Sequence, residues 1–227
     1  MTFRILFPIY PGVTQLDFTG PHQAFSRAPD AKVTVASMGA RDVEADGLVF
    51  TGLADLAAVE GCELICVPGG GGCVGPMQDA AFLAEIRRLA AGARYVTSVC
   101  TGSLILGAAG LLKGRRAACH WAWRELLVPL GAIVDEGRVV RDGNIFSGGG
   151  VTAGIDLALT VIAEVAGDAA AQSVQLTIEY APEPPFEAGR PETAPPALAA
   201  RMRERMQAMM PERRAAAEAA AAVLAVA

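Results

Sequence analysis

Residues 94–107 read RYVTSVCTGSLILG, and the structure that this stretch adopts decides the fold. The β-branched run from Tyr95 to Val99 predicts a buried strand, whereas the apolar residues after it recur at helical spacing. The chain therefore turns sharply at Cys100, with small residues two positions away on either side, Ser98 and Gly102, as a tight turn requires. We predict a nucleophile elbow that presents Cys100 for reaction; a buried structural cysteine is the alternative.

The predicted turn places Cys100 at the N-terminus of a helix. The positive end of the helix macrodipole and the backbone amides at that end stabilise a thiolate. We therefore expect the pKa of the Cys100 thiol to be lowered, which would increase the fraction of the attacking thiolate at neutral pH.

The charge of the chain restricts its partners. The 227 residues carry a formal net charge of −5, with no block of Lys and Arg that lacks interleaved acids. Such a surface favours a small-molecule partner over nucleic acid or an anionic membrane. No uninterrupted apolar stretch approaches the roughly 20 residues that a membrane span requires. Because residues 1–5 follow a strand pattern and lack the zones of a signal peptide, we expect the protein in the cytoplasm.

Five cysteines, an odd number, are better explained as reduced thiols than as a disulfide framework. Cys62, Cys66 and Cys73 lie close in sequence, but no CxxC pair and no paired histidines accompany them. We therefore expect no metal site.

Strands and helices alternate over most of the chain. Strands are predicted at 4–10, 32–38, 63–67 and 95–99, and Gly20-Pro21 is expected to open the first helix, which leaves Asp17 in a loop. The alternation implies an α/β fold with a mostly parallel sheet covered on both faces. Ligands bind beyond the carboxyl ends of such strands, where we expect Asp17, Cys100 and the glycine runs 69–72 and 148–150 to converge.

In the second half of the chain, the sequence predicts elements that do not continue the regular alternation of strands and helices. Residues 116–121 predict a short strand that contains His120, and residues 133–147 predict two small hairpins. Thr152 is expected to begin a long helix. Residues 182–196 are rich in proline and cannot be regular, whereas residues 197–227 favour a helix with an apolar stripe. We divide the chain into a catalytic domain, 1–196, and an Ala/Arg-rich helical tail, 197–227.

The glycine run after the strand at 63–67 allows two interpretations. Residues 70–75 match the pattern GxGxxG, but glycine is so dense here that the match does not indicate a dinucleotide site, and we expect no nicotinamide or flavin to bind there. Instead, the backbone amides of Gly70 and Thr101 are expected to form an oxyanion hole beside Cys100. A flexible loop is the plainer alternative.

Asp17 and His120 are candidates for proton transfer. Asp17 is flanked by apolar residues, so burial would raise the pKa of its carboxyl group and suit it for acid-base chemistry; it could instead be an ordinary acid at a helix start. His120 could act as the base of a Cys-His-acid triad, or it could be a core histidine beside Trp121 and Trp123.

These residues resemble those of the PfpI-type superfamily of class I glutamine-amidotransferase-like proteins, and within it the isonitrile (isocyanide) hydratases most. The resemblance extends from the first strand to Pro196. It rests on the motifs LDFTGP at 16–21, VPGG at 67–70, SVCTG at 98–102, His120-Trp121, GGGVTAGID at 148–156, EYAP at 179–182 and PPF at 184–186.

The resemblance implies a flavodoxin-like three-layer sandwich, an obligate homodimer and a cofactor-free reaction that hydrates an isocyanide to an N-substituted formamide. It assigns the nucleophile to Cys100, the acid to Asp17 and a hydrogen-bonding role to Thr101. It also implies that backbone groups of Gly149 and Val151 line the pocket.

Two departures separate the chain from other branches of that superfamily. Thr101 follows the cysteine where peptidase-like members have histidine, and Asp17 stands where glyoxalase-like members have glutamate. A glyoxalase-like hydrolase or lyase, and a non-catalytic sensor whose Cys100 is oxidised, remain as alternatives.

Overall fold

Seven strands form the central sheet of the computed structural model, which describes residues 2–226. Along the sheet their order is β10-β11-β7-β6-β1-β2-β5, and only β10 runs antiparallel to its neighbour. The seven strands are β1 (Phe3–Pro8), β2 (Ala31–Ser37), β5 (Ala54–Asp55), β6 (Leu64–Val67), β7 (Tyr95–Val99), β10 (Val139–Asp142) and β11 (Ile145–Gly148). Four short strands form two separate pairs, β3 (Val43–Ala45) with β4 (Leu48–Phe50), and β8 (Arg116–Ala117) with β9 (Ile133–Val134).

Helices cover both faces of this sheet. The helices are α1 (Gln15–Phe25), α2 (Val74–Gln78), α3 (Ala80–Gly92), α4 (Gly102–Ala108), α5 (Ala153–Ala166), α6 (Asp168–Thr177), α7 (Pro196–Gln207) and α8 (Met210–Val226). Helices α1, α5 and α6 pack together on one face, and α2, α3, α4 and α8 pack together on the other. The predicted fold, a flavodoxin-like three-layer sandwich with a mostly parallel sheet, is confirmed.

The register of the parallel strands brings the predicted segments to one edge. Val67 of β6 lies opposite Ser98 of β7, and Val99 lies opposite Gly148 of β11. Because each of these strands ends there, the glycine loop 69–72, Cys100 and the glycine cluster 148–150 emerge side by side. Asp17 reaches the same edge from α1, the helix that follows β1.

The prediction that Gly20-Pro21 opens the first helix is wrong. Helix α1 begins five residues earlier, at Gln15, so Asp17 lies in its first turn and Pro21 lies inside it. Pro21 has no N–H to donate to the carbonyl of Asp17. The helix continues because α1 packs closely on α5: a Cβ atom on Gly154 would lie 2.9 Å from the Pro21 ring.

Two further predictions need correction. The strand expected at 116–121 ends at Ala117, so His120 lies in the loop after it. Of the two hairpins expected at 133–147, only β10–β11 exists, because β9 pairs in parallel with β8 instead of folding back. The side chain of Asp135 accepts the N–H of Gly137, and this turn carries the chain away from β9.

The tail is helical, as predicted, but breaks between α7 and α8 just before Pro211. Three alanines of α8 belong to the core of the protein: Ala216, Ala217 and Ala220. Among the described helices, none combines the length and the apolar character that crossing a membrane demands.

Candidate active site

The elbow is built around the backbone of Cys100. Strand β7 ends at Val99 and α4 begins at Gly102, and between them Cys100 has a φ of 58°, which non-glycine residues adopt only where the surroundings enforce it. The N–H of Cys100 donates to the carbonyl of Gly148 at 2.9 Å. A Cβ atom on Gly102 would lie 2.0 Å from the carbonyl oxygen of Val67, so only glycine fits there. The predicted strand, turn and helix are therefore present.

Three buried serines connect the elements beneath the elbow; sequence reasoning named Ser98 only as a small residue and missed Ser103 and Ser147. The Ser103 hydroxyl donates to the carbonyl of Ala118 at 2.5 Å, so Ser98 donates in the 2.9 Å bond between Ser98 and Ser103. The Ser147 hydroxyl accepts the N–H of Ala118 at 2.8 Å. Hydrogen bonds between buried groups are strong and directional, so these serine hydrogen bonds fix β7, α4 and β11 relative to the loop after β8.

Asp17 is fully buried beside the elbow. Its Oδ2 accepts the N–H of Gly69 at 3.0 Å, whereas Oδ1 makes no hydrogen bond of standard geometry to any of residues 2–226. Burial raises the pKa of the Asp17 carboxyl group to about 7, and hydrogen bonds from Gly69 and from the Cys100 thiol act weakly in the opposite direction. The predicted rise in the pKa of this carboxyl is confirmed, and both of its protonation states are populated near neutral pH.

The prediction of a lowered pKa for Cys100 is wrong for the free protein. Burial raises the pKa of the Cys100 thiol well above its usual value, and the negative charge of Asp17 raises it further, whereas the N–H of Thr101 acts to lower it. Helix α4 has only seven residues, so its dipole does not outweigh burial. The thiol and the carboxyl group are therefore coupled, since the charge of Asp17 disfavours the thiolate of Cys100.

The glycine loop 69–72 lies against Asp17 and Thr101. The N–H of Gly70 donates to the Thr101 hydroxyl oxygen at 2.9 Å, and that hydroxyl donates to the carbonyl of Gly70 at 3.2 Å. The Gly70 amide, expected as an oxyanion donor, is therefore already engaged, while the Thr101 amide points at Cys100. A Cβ atom on Gly69 would lie 2.5 Å from Thr101 N and 2.8 Å from Asp17 Oδ2.

Gly149 and Val151 line a cavity of about 380 Å³, whose lining does not include Cys100, Asp17 or Thr101. His120 and Cys119 also line this cavity, and Cys119 lies near enough to Cys100 to raise the pKa of that thiol. Residues 189–193 of the proline-rich segment cover one side of it. The volume suits a small organic ligand.

Within the described residues, His120 makes no hydrogen bond to Asp17 or to Cys100. Its Nδ1 accepts the N–H of Ala122 at 3.3 Å, and its ring lies beside that of Trp121. Burial, and secondarily the positive charge of Arg213, lower the pKa of His120, so the ring is neutral at pH 7. This arrangement favours the structural alternative for His120 over the triad base.

The structure also describes the remaining candidates for metal and disulfide chemistry. All five cysteines are buried and unpaired as thiols. Within residues 2–226, no cluster of three or more His, Cys, Asp or Glu side chains could hold a metal ion.

The sequence and the fold of this chain are both similar to those of known proteins. The sequence profile of the DJ-1/PfpI family matches residues 3–164. The isonitrile hydratase of Pseudomonas putida is 51% identical over 207 residues, which cover 90% of this chain and 90% of that protein. A THiJ/PfpI family protein from Pseudomonas syringae has a crystal structure with a TM-score of 0.90 and 40% identity, covering 97% of this chain and 91% of that one. Drosophila melanogaster DJ-1beta, with a TM-score of 0.72, 23% identity, and coverage of 80% of this chain and 100% of that one, supports the fold alone.

Proposed function

Because the chain belongs to the DJ-1/PfpI family, we propose that it is an isonitrile hydratase, which converts an isocyanide and water into an N-substituted formamide. The similarity to the Pseudomonas putida enzyme suggests the reaction. The observation that carries the proposal is the buried pair of Asp17 and Cys100, because it combines a nucleophile with an acid-base group at one point of the sheet edge.

In the first half-reaction, the Cys100 sulfur attacks the terminal carbon of the isocyanide while Asp17 accepts the thiol proton. The carbon becomes basic once the sulfur has added, and Asp17 then delivers the proton to it. The product is a thioimidate, in which the former isocyanide carbon carries the Cys100 sulfur and one new hydrogen. A carboxyl group whose pKa lies near 7 suits both transfers, because each of its forms is accessible at neutral pH.

In the second half-reaction, Asp17 accepts a proton from water as the water oxygen adds to the thioimidate carbon, and Asp17 then delivers that proton to the nitrogen. The carbon–sulfur bond then breaks as the carbonyl forms, and the proton of the added hydroxyl group passes through Asp17 to the Cys100 sulfur. One water molecule is consumed, the formamide is released, and the protein returns to its starting state without gain or loss of electrons. Nucleophile, acid and base all belong to the protein, so we propose a reaction without a cofactor.

The neighbouring residues are proposed to orient these groups. Thr101 supplies its backbone amide to the sulfur, while its hydroxyl, engaged with Gly70, keeps the glycine loop in place. The substrate is proposed to enter through the cavity lined by Gly149 and Val151. His120 contributes to the shape of that cavity and takes no part in proton transfer.

We further propose a homodimer in the cytoplasm. The dimer follows from the resemblance to the isonitrile hydratases, and the half-exposed methionines of the tail supply apolar surface for association. Five free thiols are consistent with a reducing compartment.

The test of the reaction is the formation of an N-substituted formamide from a small alkyl isocyanide, followed by NMR. Cys100→Ser should abolish turnover and leave the thermal unfolding temperature within a few degrees, because the replaced atom contributes little to the core. Cys62→Ser is the matched control, since Cys62 is also buried but precedes β6, at the opposite edge of the sheet. Wild-type protein that forms no formamide, or Cys100→Ser that retains substantial activity, would exclude the proposal.

A further inference from the structure

Arg213, in the first turn of α8, is buried in a way that demands an explanation. Only 4% of it is exposed, and Asp17 is the other ionisable acidic or basic side chain buried to this degree within residues 2–226. No carboxylate in that part of the chain pairs with Arg213, and its Nε has no hydrogen-bond partner there. Burying a guanidinium without a carboxylate is costly, so its remaining contacts must repay that cost.

Those contacts join two loops that flank Cys100. The Arg213 Nη2 donates to the carbonyl of Gly71 at 3.1 Å, and the guanidinium stacks over the ring of Trp123, with 4.3 Å between its carbon and the ring centroid. Gly71 belongs to the glycine loop beside Asp17, and the backbone N–H of Trp123 donates to the carbonyl of His120. The planar guanidinium can stack and donate at once, which a lysine ammonium cannot do.

The glycine loop needs such a restraint. Four consecutive glycines have more conformational freedom than any other run of four residues, and the loop must nevertheless present the amides of Gly69 and Gly70 to fixed acceptors. The neighbouring residue, Gly72, is held by Gly12 through a 2.9 Å hydrogen bond. Of the backbone N–H and carbonyl groups of Gly71 itself, the carbonyl is the one that makes a hydrogen bond within the described chain, and Arg213 is its donor.

We propose that Arg213 is a positioning residue for the active site: by holding Gly71, it keeps the amides of Gly69 and Gly70 on Asp17 and Thr101. This inference deepens the proposed function, since it identifies a residue of the tail that sets the geometry of the acid. Arg213 acts through the loop and does not touch the reacting atoms.

Two measurements on Arg213→Met, Arg213→Lys and Arg214→Met test this role. Arg214 is the matched control, because it lies on the same turn of α8 but is exposed and pairs with Glu125. In Arg213→Met, we expect kcat to fall about 10- to 100-fold with KM changed much less, since small displacements of catalytic groups cost rates of this order. Arg213→Lys should recover only part of the loss, and Arg214→Met should keep wild-type kcat.

The second measurement is hydrogen–deuterium exchange of a peptide that contains residues 69–73, which needs no substrate. Exchange there should be faster in Arg213→Met than in the wild type and in Arg214→Met. If Arg213→Met lowers the unfolding temperature but leaves both kcat and the exchange of this peptide unchanged, Arg213 is merely structural and the inference is wrong. If the wild type does not hydrate isocyanides, the proposed function fails, and the exchange measurement alone decides the inference.

Discussion

The burial of Asp17 has two effects that oppose each other. It gives the carboxyl group the pKa that the proposed chemistry needs, but it also makes the charged form of that group unfavourable in the folded protein. Burial raises its pKa from 3.8 to about 7, so between these pH values the folded protein binds a proton that the unfolded chain lacks. This carboxyl therefore stabilises the fold least above pH 7 and most below pH 4. The residue that we assign to proton transfer is also one that limits stability at neutral pH.

We predict that Asp17→Asn removes a pH dependence of stability. From pH 5 to pH 8 the free energy of unfolding of the wild type should fall by about 2–3 kcal/mol through this group, since each pKa unit is worth about 1.4 kcal/mol. Urea unfolding at pH 5, 6.5 and 8 measures the difference. The exposed Asp168 provides the control variant Asp168→Asn. A fall of the same size in Asp17→Asn would refute the assignment.

The same residue should govern turnover. Loss of a general acid-base group costs about 10²- to 10⁴-fold in rate, and because Asp17 is proposed to act in both half-reactions we expect the upper end for Asp17→Asn. Asp17→Glu should recover only part of the rate, because the longer side chain displaces the carboxyl in a fully buried site. His120→Ala should lower stability more than kcat. Single-turnover kinetics compare the three variants, and a folded but inactive His120→Ala beside an active Asp17→Asn would reverse the assignment.

Residues differ in how far the sequence reveals them. Cys100 and Asp17 could be found because each lies in a local pattern: one at a strand-to-helix turn, the other between apolar neighbours at the end of the first strand. The direction in which the pKa of the Cys100 thiol shifts could not be judged from the sequence, because the rise depends on burial and on a charge contributed by another element. Arg213 gives no signal, since an arginine in an alanine-rich helix looks like an ordinary exposed residue until the loops beneath it are known.

At the level of elements, a substitution in the glycine loop 69–72 tests whether the close packing of Gly69 against Thr101 and Asp17 matters for activity. Gly69→Ala would place a methyl group against Thr101 and Asp17, so we predict a fall in kcat of about 100-fold or more. Gly75→Ala is the matched control, because a Cβ atom there meets no atom within 4 Å and Gly75 lies in α2, beyond the loop. The activities of the two variants, compared at equal fold content by circular dichroism, measure the effect. Equal activity in both would show that the close packing at Gly69 does not matter for turnover.

Elements that follow from local rules were predicted, and those that depend on tertiary packing were not. The start of α3 is of the local kind: the side chain of Asp79 accepts the N–H groups of Ala81 and Phe82, as an aspartate directly before a helix commonly does. The start of α1 is not local, because a proline suits a first turn, and only the packing against α5 explains its place inside the helix. Likewise, no short-range pattern distinguishes a parallel β8–β9 pair from a hairpin.

At the scale of the whole molecule, the alternation of strands and helices was sufficient to predict a mostly parallel sheet and the edge at which Asp17, Cys100 and the two glycine segments meet. That success has a physical basis, because parallel strands need crossover connections and therefore send their carboxyl ends to one side. The path of the tail was not predictable in the same way. Its alanines lack a wide apolar face, so the sequence does not indicate which surface α8 covers.

We predict that the intact protein sediments as a dimer at micromolar concentration. The tail leaves apolar side chains in partial contact with solvent, Met209 among them at 40% exposure, and burial of such a stripe against a second copy would be favourable. Sedimentation velocity over a dilution series gives the mass directly. A species with the mass of a single chain throughout the micromolar range would refute the prediction.

The position of α8 has a consequence for biosynthesis. This helix covers α2 and α4, and it sends Arg213 to a glycine 142 residues earlier in the chain. Chains leave the ribosome from the N-terminus, so the sheet and the elbow emerge before α8 exists. During that interval the surface of α2 and α4 is open to chaperones, and the glycine loop 69–72 lacks the hydrogen bond from Arg213. A nascent chain with every strand already in place would therefore still be an immature enzyme.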